Sequence, residues 1–128
     1  MIDRDKLVSE LRPFLLNLET KKENTVEEQF QNKVLRPILK FQHDIIITFI
    51  FNKIVNKFRI DIVKIHNNDL ALKVKNELMN NQTLRNQVFG FVLGLFTVEE
   101  YQEYIQNETE YRRRIMAMVV VRFMSTVI

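Results

Sequence analysis

The stretch Pro37-Ile38-Leu39-Lys40-Phe41-Gln42-His43-Asp44-Ile45-Ile46-Ile47-Thr48-Phe49-Ile50-Phe51-Asn52-Lys53-Ile54-Val55-Asn56-Lys57-Phe58 decides the fold. Its isoleucines suit a β-strand, but about twenty residues without an internal turn signal is far beyond ordinary strand length. As a helix, its apolar residues, from Ile38 and Leu39 to Val55 and Phe58, fall on nearly every side at 100° per residue. A helix apolar all round must be covered all round. The stretch is therefore expected as one helix over 37–58, either central in a bundle or shared between the domain and a partner.

Upstream, Pro37 suits a first helical turn and disfavours helical geometry at Arg36, so a kink or break is expected at 35–37. Thr25-Val26-Glu27-Glu28 has the form of a capping box that opens a helix carrying Val26, Phe30 and Val34. Before it, Asn17 to Asn24 reads as a polar link. Asp3 caps a short helix to about Leu11, which Pro13 interrupts. Residues 1–24 thus form a helical arm and link, and residues 25–128 the bundle.

Downstream, Asp61 to Ile65 reads as a turn, and Asn68 or Asp69 as the cap of a helix over 69–80. Thr83 opens another to about Phe96. Gly90 and Gly94, four apart in a helix where glycine costs about 1 kcal/mol, predict close backbone packing on that face. Thr97-Val98-Glu99-Glu100 is a second capping box. Asn107 would cap a last helix from about 108, and its apolar residues, from Ile115 to Ile128, again cover most of the circumference. The sum is an all-α single-domain bundle of five or six helices.

Bulk composition agrees with one domain. The chain has 128 residues, 46% hydrophobic and 27% charged, enough apolar content for a core. Two glycines and two prolines fit helices with short links. The absence of cysteine excludes disulfides, thiolate nucleophiles and cysteine-based metal sites. The charged start, Met1 to Lys6, does not resemble a signal peptide. Neither Ile45–Phe51 nor Ile115–Ile128 reaches the ~20 apolar residues of a membrane span, and Arg122 interrupts the second. A cytoplasmic protein is expected, with no membrane partner.

Chemistry is sparse. Neither His43 nor His66 has a His or Glu three or four residues away, so no metal-ligand pair shares a helical face. No metal or cofactor is expected. No Gly-x-Ser-x-Gly or phosphate-binding glycine loop occurs. Gln42-His43-Asp44 is the polar interruption in the apolar helix and needs solvent or partners. It is the candidate ligand-binding group, with His43 as a possible proton carrier. Residues 31–96 carry ten basic and four acidic side chains, making the middle the basic part. Lys33, Arg36 and Lys40 follow helical spacing and Arg112, Arg113 and Arg114 form the densest run; these six are the candidate basic surface. Consecutive arginines spread over about 200° of a helix, and Glu108 and Glu110 can pair with them, which disfavours nucleic acid as a partner.

The strings Leu35-Arg36-Pro37-Ile38-Leu39-Lys40-Phe41-Gln42, Leu95-Phe96-Thr97-Val98-Glu99-Glu100-Tyr101 and Tyr104-Ile105-Gln106-Asn107 are similar to a family of short bacterial proteins, some labelled "glyoxalase". The resemblance spans most of residues 25–125 and implies a bacterial cytoplasmic protein. It carries over no functional residue.

Two helices apolar on nearly all sides exceed what one small bundle covers, so the surplus face predicts a homodimer through the 37–58 or 108–128 helix. The leading functional expectation is a non-catalytic helical interaction or oligomerisation protein. The alternative is a small-molecule-binding protein or enzyme with an interhelical pocket near His43; the third is a weak nucleic-acid binder.

Overall fold

A computed structural model describes residues 2–12 and 24–127, and among these the secondary structure is entirely helical. Helix α1 spans Arg4–Glu10. Helix α2 (Val26–Phe30) runs through a π-helical turn at Gln31–Leu35 into α3 (Arg36–Phe41). Helix α4 (His43–Ile50) ends in a second π-helical turn at Phe51–Asn56. Then follow α5 (Asn67–Asn80), α6 (Gln82–Leu93), α7 (Val98–Gln106) and α8 (Glu108–Val127). With the π turns joining their neighbours, the described residues make seven rods rather than five or six. Pro13 and nearly all of the Asn17–Asn24 link lie outside the described residues, as does Ile128.

The expected single helix over 37–58 is divided, and not at the proline. Pro37 lacks the N–H that would serve the carbonyl four residues back. The chain meets this by widening its preceding turn, in which the Arg36 N–H reaches the Gln31 carbonyl five residues back. Arg36 keeps helical angles (φ −61°, ψ −47°), so the rod runs on through Pro37. The division comes at Gln42, whose φ −91° and ψ 6° leave the helical region.

Helix starts follow side-chain caps. Asp3 accepts from Lys6 N–H and Thr25 from Glu28 N–H. Thr97 and Glu100 form the full reciprocal capping box. Three expected caps are displaced. His66 Nδ1, not Asn68 or Asp69, caps α5 by accepting from Asn68 N–H, and Asn81, not Thr83, caps α6. The Asn107 side-chain amide instead donates to Glu27 at 3.1 Å, tying the α7–α8 junction to α2.

Helix α8 buries Tyr111, Ile115, Val119 and Phe123, one residue per turn, against a core that includes Leu35, Ile38, Ile50, Ile54, Leu70, Val74 and Val88. Phe30, Phe96, Tyr104 and Tyr111 pack as an aromatic cluster with neighbouring ring centres 4.5–6.2 Å apart. Within one chain, the two helices expected to be covered by the domain or a partner are covered only in part. Phe41 at the end of α3 and Ile45 in α4 stand exposed, and Val121 is 64% exposed on α8. The glycine expectation is also corrected: a Cβ at Gly90 would meet nothing within 4 Å, and one at Gly94 would crowd the carbonyl of Gly90 at 3.0 Å, so the close approach is within the end of one helix rather than between helices.

The N-terminal arm docks through arginines. Arg4 donates to the Phe96 and Gly94 carbonyls, and Arg12 to the Leu95 carbonyl and the Glu100 carboxylate. These carbonyls close the end of α6, where the helix dipole favours cations.

Candidate functional site

The stripe that α8 buries leaves an opposite ridge of Arg113, Ala117 and Val121, all exposed and four residues apart. A cleft flanks the ridge on each side, and Ala117, the small residue at its centre, lines both.

The larger cleft, about 590 Å³, lies between α8 and the α5–α6 pair. Each helix supplies a cation and, one turn later, an apolar residue: Lys75 and Met79, Arg85 and Phe89, Arg112 and Met116. Residues at i and i+4 share a helical face, so each helix places both kinds of side chain on the cleft. Arg113 adds a fourth cation, and among the described residues no carboxylate lines the cleft.

The cations are held differently. Arg112 lies 4.6 Å from the centre of the Phe89 ring, a cation–π contact. Its Nε donates to the Tyr104 hydroxyl at 3.0 Å and stands 3.2 Å from Glu108. That hydroxyl bond raises the Arg112 pKa further, while burial pushes the Tyr104 hydroxyl above its ordinary value. Arg112 is thus a fixed, permanently charged wall. Arg85 donates to the Met79 carbonyl at 2.6 Å, which ties α6 to the end of α5. Arg113 pairs with Glu110, whose carboxyl the Arg113 and Arg114 hydrogen bonds hold down to about 2. Among the described residues Lys75 has no carboxylate within salt-bridge reach.

The smaller cleft, about 210 Å³, lies between α3 and α8 and is lined by Arg36, Leu39, Ala117, Met118, Val121 and Arg122. Behind Arg122 stands His43. The guanidinium is 3.3 Å from His43 Nδ1, His43 Nε2 is 3.2 Å from the Thr126 hydroxyl, and that hydroxyl donates to the Arg122 carbonyl. One assignment satisfies all three contacts: Nδ1 accepts from Arg122, and Nε2 carries the hydrogen and donates to Thr126.

The Gln42-His43-Asp44 triplet therefore does not converge. Gln42 donates to the Phe91 carbonyl on α6 at 2.9 Å. His43 turns to α8, and Asp44 is exposed, its carbonyl accepting from Thr48. The basic residues also separate. Arg112 and Arg113 enter the larger cleft and Arg36 the smaller. Arg114 reaches Gln31 and Glu110, and Lys33 and Lys40 are exposed. Sequence reasoning passed over Lys75, Arg85, Phe89 and Arg122 as site residues. The usable signal was the cation-then-apolar spacing of four, repeated on three helices, and the lone arginine inside the apolar end of α8.

Among the described residues no three His, Asp or Glu side chains gather as metal ligands, and no helix is long and apolar enough to cross a membrane. No protein-family model, curated protein or solved structure matches the chain.

Proposed function

We propose that the protein is a non-catalytic helical binding module whose larger cleft receives an organic anion with a flat apolar body. The observation that carries this reading is the lining itself: Lys75, Arg85, Arg112 and Arg113 surround Phe89, Met79 and Met116, with no carboxylate among the lining residues. A volume of about 590 Å³ falls within the range of small-molecule sites. The apolar floor supplies burial, while the cations choose the sign of the ligand's charge. The Thr109 hydroxyl in the lining has no histidine or carboxylate beside it among the lining residues to activate it, which is why binding rather than turnover is proposed.

The test uses 1-anilinonaphthalene-8-sulfonate, an aromatic sulfonate whose emission rises on leaving water, beside the uncharged N-phenyl-1-naphthylamine. The sulfonate is expected to bind saturably and the amine much more weakly. Lys75→Glu reverses a lining cation that, among the described residues, has no carboxylate within salt-bridge reach, and should weaken the sulfonate about tenfold, ~1.4 kcal/mol. Equal binding of both probes, or an unchanged affinity in Lys75→Glu, would reject the reading.

A second reading, self-association, is favoured by Phe41 and Ile45, both near half exposed on either side of the break at Gln42. Exposed apolar patches of this kind mark interfaces. Light scattering at high concentration should then give twice 15.4 kDa, and Ile45→Glu should return the monomer mass. A mass that stays monomeric throughout excludes it.

A further inference from the structure

We propose that the smaller cleft is a separate oxyanion site, in which Arg36 and Arg122 grip a dianion of the phosphate type between α3 and α8. Two guanidinium groups line a space of about 210 Å³, and no carboxylate lies within salt-bridge reach of either among the described residues. Arg36 has a single side-chain partner, the neutral Asn32 oxygen at 2.9 Å. Arg122 has only the His43 ring nitrogen. Burial, and then the charge of Arg36, both disfavour the charged form of Arg122.

Two like charges facing one small space, one of them partly withdrawn from water, are unfavourable unless a counter-charge joins them. The planar guanidinium fork matches phosphate oxygens in pairs. A doubly charged oxyanion would neutralise both groups at once. Leu39, Met118 and Val121 supply the apolar part of the lining. His43 and Thr126 are positioning residues. Nδ1 receives one Arg122 N–H and leaves the other donors of the fork for the anion, and Thr126 fixes the ring by linking it to the Arg122 backbone. This assigns the polar interruption of the apolar helix a role without giving His43 a proton to transfer.

The site shares only Ala117 with the larger cleft, and methionines report the two separately: Met118 lines the smaller, Met79 and Met116 the larger. The experiment follows methionine methyl signals by NMR during titration with inorganic phosphate, with sodium chloride at matched ionic strength as control. Phosphate should move Met118 saturably and chloride should not. Arg36→Gln, a change at an exposed position, should weaken the Met118 response about tenfold and leave the response of Met79 and Met116 to the aromatic sulfonate intact. In phosphate-free buffer the same variant should melt no lower than the parent, because it relieves repulsion; in phosphate the parent alone should gain stability. His43→Ala should weaken phosphate without changing sulfonate binding. A Met118 signal that answers chloride and phosphate alike, or an Arg36→Gln protein with parental phosphate affinity, overturns the proposal. So does an Arg36→Gln protein that melts lower without phosphate, since the arginine would then be a structural contact.

Discussion

Gly90 and Glu100 show how much turns on single side chains. Gly90 lies inside α6 with open space where its Cβ would be. Gly90→Ala should therefore stabilise the fold by about 1 kcal/mol, the helix-propensity difference alone, visible as a raised urea midpoint with unchanged slope. No gain, or a loss, would mean that something else occupies that face. Burial raises the Glu100 pKa, but the Arg12 hydrogen bond and the Thr97 amide outweigh it, so the carboxyl sits below its ordinary 4.5. Because the folded value is depressed, its contribution is fully present above about 4.5 and fades as pH falls through the folded value. Protection of the α1 amides, taken relative to their intrinsic exchange rates at each pH, should accordingly fall below that pH before protection in α8 does, and Glu100→Gln should lose the dependence. At this scale the sequence was partly legible. The polar break at Gln42-His43-Asp44 was visible, since such groups interrupt an apolar run. Their divergence was not, because it depends on Gln42 leaving helical angles and aiming its neighbours at α6 and α8.

Among the elements, α8 carries most of the argument. Its apolar residues cover much of its circumference, yet only the Tyr111, Ile115, Val119 and Phe123 stripe is fully buried. Ile115→Ala removes a wholly buried side chain from the centre of that stripe and should cost about 2–5 kcal/mol, measured by chemical denaturation. Val121→Ala on the exposed ridge should cost less than about 0.5 kcal/mol. Comparable losses at both positions would show that the ridge is covered in solution. Helix type was readable from length and periodicity, and Asp3, Thr25 and Thr97 were readable as caps. The caps at His66 and Asn81 were harder to find, because each is set by where the preceding turn delivers the chain. Which of a kink or a break would follow at 35–37 was not legible for a related reason: the chain runs on without a break because a missing N–H is absorbed by one wider turn at Gln31–Leu35, and composition alone does not say so.

For the whole molecule, the decisive arrangement is the pair of cationic clefts astride the α8 ridge. The all-helical class followed from the length of apolar stretches without an internal turn signal and from the cap signals that open them. The clefts did not, because Lys75, Arg85, Arg112 and Arg36 are scattered along the chain and meet only when α5, α6, α3 and α8 are assembled. A basic middle segment was a coarse trace of this arrangement, and the densest arginine run was a misleading one, since Arg114 points away. The central claim is that the larger cleft binds organic anions, and its most direct test is a methionine methyl spectrum recorded with and without 1-anilinonaphthalene-8-sulfonate. Met79 and Met116 should shift together and saturably while Met124, which lines neither cleft, stays in place. Shifts centred on Met124, or none at Met79 and Met116, would contradict the account.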